Sequence, residues 1–332
     1  MTAEAPLLAI EDLVVEFRQG KGRVVANDHV SLAVRAGETL GIVGESGSGK
    51  SVLCRAVLRL LPSPPARVRA AALNFAGRDL MRLEEPAMRE VRGQDIAMIF
   101  QNPMSSLNPV WPIGDQVSEG LRRHQGMPAR AARERAIELL RRVGIPSPEK
   151  RVDDYPHQWS GGMIQRAVIA MAMAGKPKLM LADEPTTALD VTIQDQILSL
   201  LLELQAESGM ALVLVSHDMG VIAETCDRVA VMYAGRIVEL APTAALFERP
   251  AHPYSHGLFR SIPRLDAAGD RLPSIPGQPP DLARLPPGCP FADRCPVASA
   301  ECRQEPARLR PLDAGRATAC LFPERVAALP AA

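Results

Sequence analysis

Eight consecutive residues constrain this chain more than any others: Gly44-Glu45-Ser46-Gly47-Ser48-Gly49-Lys50-Ser51. They fit the pattern G-x-x-x-x-G-K-[ST] without a mismatch. Upstream, Thr39-Leu40-Gly41-Ile42-Val43 reads as a buried strand, and Val52 to Leu61 reads as the helix that follows. A glycine-rich turn between strand and helix aims backbone N–H groups at one spot beside a helix N-terminus. Such a spot favours a polyphosphate. Gly44, Ser46, Gly47, Ser48 and Gly49 supply the cradle, Lys50 is placed to reach the β- and γ-phosphates, and the Ser51 hydroxyl is placed to hold Mg²⁺. A flexible turn rich in Gly and Ser is the plainer alternative, and the full match between strand and helix argues against it.

A second element supplies carboxylates. Leu179-Met180-Leu181-Ala182-Asp183-Glu184 reads as an apolar strand ending in two acids. Successive strand residues point to opposite sides, so the two acids take different roles. Asp183 is the candidate for holding Mg²⁺ through water, and Glu184 for accepting a proton from the attacking water. Without the phosphate loop the pair would read equally as a solvated strand end.

Ser160-Gly161-Gly162 opens a long helix running from Met163 to Ala174. A serine cap, two glycines and a helix N-terminus make a second anion site. One nucleotide does not need two such sites on one chain, whereas a head-to-tail pair of chains uses both.

These features together resemble the ATP-binding subunit of an ABC transporter. The resemblance rests on the phosphate loop, Gln101 as the Q-loop, Trp159 to Met163 as the signature, and Leu179 to Glu184 as Walker B. It continues through Ala188-Leu189-Asp190 as the D-loop and His217 as the switch histidine, and covers roughly residues 8–240. It implies a P-loop α/β core with an antiparallel β subdomain and a helical subdomain. It also implies a sandwich dimer holding two ATP molecules, with Phe17 stacking on adenine. Gln101 would sense the γ-phosphate and contribute to the Mg²⁺ site, and His217 would bind the γ-phosphate and the attacking water. Read alone, Gln101 is a loop amide, His217 a strand-end histidine, Phe17 a core residue and Asp190 a helix cap. One departure stands out: Met163 replaces the glutamine usual in the signature, a change common in the peptide-importer branch.

Composition excludes several classes. Net charge is +0 and no long basic run occurs, which disfavours nucleic acid as a partner. No apolar run reaches the length of a membrane span, and the start carries no secretory pattern. The expected location is therefore the cytoplasmic face of the inner (plasma) membrane, held there through partners. Residues 1–101 and 176–242 are expected to form the ATP-binding core, 102–175 the helical subdomain and 243–332 a C-terminal extension. Within the helical part, Ala132, Ala136, Leu139, Leu140 and Val143 recur at helical spacing, with Gly144 as the stop. Cys54 and Cys226 read as buried small residues.

From Pro242 onward lie more than half of the 30 prolines. Ala244 to Ile262 reads as a helix interrupted at Pro250 and Pro253, and the rest as extended and looped. Four of the six cysteines fall here: Cys289, Cys295, Cys302 and Cys320. Disulfides are disfavoured in a reducing compartment. Structural zinc, an iron–sulfur cluster and unligated thiols remain; zinc ribbons prefer closer cysteine pairs, and a cluster tolerates wider spacing. His252-Pro253-Tyr254 and the run Cys289 to Pro296 are similar to the C-terminal region of oligopeptide/dipeptide importer ATPases, whose members can carry a four-iron, four-sulfur cluster. That resemblance implies a five-part importer with two membrane permease subunits, two related ATPases forming a heterodimer (a homodimer being the variant) and an external solute-binding protein. Import of nickel or another small solute is the alternative within the family. A soluble, non-transport ABC ATPase and a degenerate metal-sensing module are the alternatives outside it.

Overall fold

The computed structural model describes residues 5–20, 22–187, 189–261, 274–305, 308–313 and 315–329. The chain divides into two compact units. One comprises Met1–Val34, Thr39–Met81 and Ser216–Ala332, the other Arg35–Glu38 and Arg82–Val215.

In the first unit, β1 (Leu8–Gln19) and β2 (Gly22–Val34) form an antiparallel hairpin. On its other edge β1 pairs with β4 (Ala66–Arg69) and β5 (Ala72–Phe75), and β6 (Arg78–Asp79) pairs with β5. Leu8, Ile10, Leu13 and Val15 of β1 are buried. In the same unit, β3 (Thr39–Val43) lies parallel to β10 (Arg228–Tyr233). All five residues of β3 are buried, as a continuous apolar run in a parallel strand requires. Antiparallel to β10 runs β11 (Arg236–Pro242), followed outward by β13 (Arg316–Thr318) and β12 (Arg310–Asp313). The helices of this unit are α1 (Lys50–Val57), α8 (Met219–Thr225), α9 (Thr243–Glu248) and α10 (Pro253–Arg260).

The tail therefore holds more regular structure than its prolines suggest. Arg310–Asp313 and Arg316–Thr318 form two strands, and the Ala319 N–H donates to the Val238 carbonyl at 2.8 Å. The interrupted helix does occur, as α9 and α10 with the break around Pro250. Ile262, its expected end, lies outside the described residues.

In the second unit, β7 (Ile96–Ile99), β8 (Leu179–Asp183) and β9 (Ala211–Val215) form a parallel sheet with β8 in the middle. Its helices are α2 (Glu85–Glu90), α3 (Ile113–Gln125), α4 (Ala129–Arg142), α5 (Pro148–Arg151), α6 (Gly161–Ala174) and α7 (Val191–Ser208). The expected apolar stripe of α4 is buried at every position, Ala132, Ala136, Leu139, Leu140 and Val143, and α4 packs on α3 and α6. Gly144 follows with φ 79°, which ends the helix. No helix among the described residues is long and apolar enough to cross a membrane.

Candidate nucleotide-binding site

The phosphate loop joins β3 to α1, and two of its glycines are dictated by space. Gly44 has φ 150°, and a Cβ there would sit 2.1 Å from the Met232 carbonyl oxygen of β10. Gly49 has φ 101°, and its Cβ would sit 2.3 Å from the Ala26 carbonyl oxygen of β2. Any side chain at either place collides with backbone that is itself tied into a sheet. The loop is held from several sides. The fully buried Asn27 amide donates to the Gly49 carbonyl at 3.1 Å, the Gly235 N–H donates to the Ser48 carbonyl at 3.0 Å, and the Ser48 N–H donates to the Glu45 carbonyl at 3.2 Å. Asn27 is a site residue that the sequence did not disclose, because one amide 22 positions upstream carries no pattern.

Lys50 is buried, and its ammonium donates to the carbonyls of Gly44 at 2.7 Å and Glu45 at 3.0 Å. Two loop carbonyls thus hold this cation. Phosphate oxygens accept more strongly, because hydrogen bonds between ionised groups are roughly twice as strong as neutral ones. Ser46 lies beside it in the same loop; Ser48 is buried, and Ser51, in the first turn of α1, is half-buried. Phe17, near the end of β1, is half-buried and lines a cavity of about 660 Å³ with Arg18, Arg23, Pro64 and Pro65. His217 is exposed and stands one residue before Asp218, whose side chain caps α8.

The second unit gathers the carboxylates, the Q-loop residue and the signature. Asp183 ends β8 and is fully buried. Strand alternation was expected to separate the roles of Asp183 and Glu184, but Glu184 lies past the strand, with a left-handed φ of 48°. A turn rather than a pleat therefore sets its direction. The left-handed region costs a residue with a Cβ roughly 1–3 kcal/mol, and such residues persist where their surroundings over-determine them. Here the Glu184 N–H donates to the Val215 carbonyl at 3.0 Å. Its Oε2 accepts from Gln101 Nε2 at 2.8 Å and from Thr187 Oγ1 at 2.9 Å. Gln101 and Glu184, 83 positions apart, are directly joined, a link the separate motifs did not disclose.

Ser160 caps α6, its Oγ accepting from the Met163 N–H at 3.4 Å. Ser160 and Gly161 are exposed and Gly162 is half-buried, so the helix start is open to a ligand. Trp159 is buried beneath this turn and donates to Asp154 at 3.0 Å. Asp190 caps α7, accepting from the Ile193 N–H at 3.0 Å; Ala188, the first residue of that motif, lies outside the described residues.

The four tail cysteines are half-buried and free of disulfides. The Cys289 N–H donates to the Cys302 carbonyl at 2.7 Å. Burial raises the Cys289 thiol above its ordinary value, and charge on Cys295 and Cys302 raises it further. Cys320 is pushed up to about 12, first by burial and then by charge on the other three. Among the described residues, no group of three or more His, Cys, Asp or Glu side chains is arranged to hold a metal ion. Cys54 and Cys226 are buried as expected.

A family profile described as ABC transporter matches residues 27–187, and one described as oligopeptide/dipeptide transporter, C-terminal region, matches residues 238–302. A Brucella abortus (strain 2308) protein named as a peptide import ATP-binding protein is 50% identical over 316 residues, 95% of each chain. A second protein so named from that strain is 48% identical over 334 residues, 97% of this chain and 99% of that one. Among solved structures, the ATP-binding cassette MJ0796 in a dimeric post-hydrolysis state bound to ADP and Pi has a TM-score of 0.63 at 26% identity, covering 71% of this chain and 98% of that one. CbiO1 of Clostridium perfringens, part of an ABC transporter complex, has a TM-score of 0.61 at 27% identity, covering 74% and 91%. The fold is thus that of an ABC ATPase. The chain belongs to the ABC transporter ATP-binding proteins, in the branch that carries the oligopeptide/dipeptide C-terminal region.

Proposed function

We propose that this chain hydrolyses ATP to drive peptide import through two membrane permease subunits. The observation that carries the reading is the phosphate loop, with glycines where no side chain fits and a buried Lys50 ammonium held on carbonyl oxygens. Lys50 binds the β- and γ-phosphates, while Ser51 and Asp183 hold Mg²⁺ with Gln101 contributing. Gly44, Ser46, Gly47, Ser48 and Gly49 cradle the triphosphate, and Phe17 stacks on the adenine. Glu184 accepts the proton of the attacking water, and His217 orients that water against the γ-phosphate. The hydrogen bond from Gln101 to Glu184 supports a sensing role, because metal or phosphate that recruits Gln101 must alter the base it holds.

The exposed Ser160-Gly161-Gly162 turn of one subunit caps the nucleotide held by another, so closure needs two ATPase subunits. Those subunits are siblings forming a heterodimer at the cytoplasmic face of the plasma membrane, served by a solute-binding protein on the external side. Residues 1–101 and 176–242 act as the ATP-binding core, 102–175 as the signature-bearing helical part, and 243–332 as the extension. Peptide is the cargo favoured by the matched C-terminal region and by the names of the relatives.

Cys289, Cys295, Cys302 and Cys320 hold a four-iron, four-sulfur cluster in this reading, with zinc as the alternative. The four thiols are a donor set whose deprotonation a metal would favour, and burial raises those of Cys289, Cys295 and Cys320. When bound, the group cross-links the tail. Iron, sulfide and zinc analysis with visible absorption decides between them.

The catalytic test is Glu184→Gln in the assembled transporter. Mg-ATP binding persists while turnover falls by about 100-fold or more. Wild-type turnover in that variant removes Glu184 from its role. Vesicle uptake of a labelled dipeptide, against nickel and a glycoside, tests the cargo.

A further inference from the structure

Glu45 is the one acidic residue of the phosphate loop, placed immediately after Gly44. In a loop built for a polyanion, a carboxylate opposes the ligand unless something neutralises it. The tail supplies the neutralising charge. Arg294 Nη1 donates to Glu45 Oε2 at 2.8 Å and Nη2 donates to Oε1 at 2.9 Å, a two-pronged ion pair. The remaining guanidinium N–H groups are also engaged: Nε with the Pro276 carbonyl at 2.9 Å, Nη1 with the Tyr233 hydroxyl at 3.2 Å, and Nη2 with the Ile275 carbonyl at 3.3 Å. The charge lies 5.8 Å from the ring centres of both Tyr233 and Phe291, and the residue is only 9% exposed.

A second tail residue grips the main chain of Glu45. The Glu45 N–H donates to the Tyr254 hydroxyl at 2.8 Å, and Tyr254, in the first turn of α10, is fully buried. The Glu45 carbonyl accepts from Lys50. Backbone N–H, backbone carbonyl and both carboxylate oxygens of this single loop residue are therefore all committed. Three of those four commitments come from two residues more than 200 positions away.

From this geometry we infer that Arg294 and Tyr254 are positioning residues of the phosphate loop, acting on ATP through Glu45. Arg294 cancels the carboxylate charge beside the bound triphosphate, and with Tyr254 it fixes the loop in the shape that receives it. Arg294 also sits between Cys289 and Cys295, so the cysteine-bearing segment is joined to the nucleotide loop by a direct ion pair. The inference rests on the phosphate-loop reading above. Lysine would keep the charge but lose the fork, so it substitutes in part.

The test uses the full chain assembled with its membrane partners and compares Arg294→Gln, Arg294→Lys, Glu45→Gln, Tyr254→Phe, the double variant E45Q/R294Q, and Lys50→Ala as control. Mg-ATP affinity is measured by calorimetry, kcat and KM by phosphate release, and the thermal midpoint is followed as a folding check. Arg294→Gln is expected to raise Kd and KM for ATP about tenfold while kcat stays within about twofold, the pattern of lost binding rather than lost chemistry. Arg294→Lys is expected to fall between Arg294→Gln and wild type. The double variant is expected to be no worse than Arg294→Gln alone, because the two residues act as one unit. Unchanged Kd and KM in Arg294→Gln, or strictly additive losses in the double variant, overturns the inference. Should Arg294→Gln fail to fold, Tyr254→Phe decides by its rise in KM, and Glu45→Gln, which removes the charge that Arg294 cancels, is expected to weaken ATP binding less than Tyr254→Phe. Loss of binding in Lys50→Ala with all clamp variants silent sinks the clamp alone, whereas unimpaired binding in Lys50→Ala unseats the phosphate-loop reading itself.

Discussion

Two alanine substitutions in the phosphate loop separate backbone strain from collision. At Gly47, φ is +78° and a Cβ would meet nothing within 4 Å. Gly47→Ala therefore bears only the cost of a left-handed residue, about 1–2 kcal/mol. At Gly49, φ is +101°, and the Cβ would stand 2.3 Å from the Ala26 carbonyl oxygen and 2.7 Å from the Asn27 amide nitrogen. Neither obstacle yields easily. Ala26 belongs to β2, and Asn27 is fully buried and bonded to Gly49 itself. Gly49→Ala must bear the same left-handed cost and also displace the start of α1, where Lys50 and Ser51 lie. A displacement of about 1 Å at a catalytic group costs on the order of 100-fold. The expected result is Mg-ATP affinity within about threefold of wild type for Gly47→Ala and at least tenfold weaker for Gly49→Ala. Calorimetry with Mg-ATP measures both, and a urea titration measures the stability cost alongside. Equal affinities in the two variants would refute the steric reasoning, because both share the backbone strain and only one has the collision.

Three further outcomes are expected. Glu239 is fully buried, accepts from the N–H groups of Ala251 and His252 at 2.7 and 2.9 Å, and is pushed by burial from 4.5 to about 7. Its raised value means that its stabilising share is complete below pH 4.5 and lost as pH rises through about 7. The gap corresponds to roughly 3 kcal/mol at most, and chemical denaturation from pH 5 to 8 should show a shallower fall in Glu239→Gln than in wild type. Leu140→Ala, at a fully buried position of α4, is expected to cost about 2–5 kcal/mol in urea unfolding, with no loss for alanine at the exposed Arg130 of the same helix. On the proposed cluster reading, a chelator under reducing conditions is expected to raise thiol alkylation at Cys289, Cys295, Cys302 and Cys320, read by mass spectrometry, while Cys54 and Cys226 stay protected by burial.

The elements legible in the sequence were those with strong local pattern. The α4 stripe and the largely apolar, buried β3 and β8 follow from period and run length alone. The phosphate loop was legible because glycine, lysine and serine each answer a separate demand at fixed spacing. What escaped lacks such a pattern. β12 is exposed along its whole length and offers no alternation, and β4 to β6 are two to four residues long. The turn at Glu184 was missed because a residue with a Cβ in left-handed geometry violates local preference, and bonds to the distant Val215 and Gln101 and the nearby Thr187 help hold it there. Arg294 read as one basic residue among many, since nothing local ties it to Glu45.

Arg294 and Glu45 stand 249 positions apart, and a ribosome makes the acid first. At about 5–20 residues per second, roughly 10–50 s separate their synthesis. Until Arg294 is made the loop carries an uncancelled negative charge, and until Tyr254 is made it also lacks the hydroxyl that steadies its backbone. On the inference drawn above, an unfinished chain holds ATP about as weakly as Arg294→Gln, and full affinity arrives when the tail docks on Glu45.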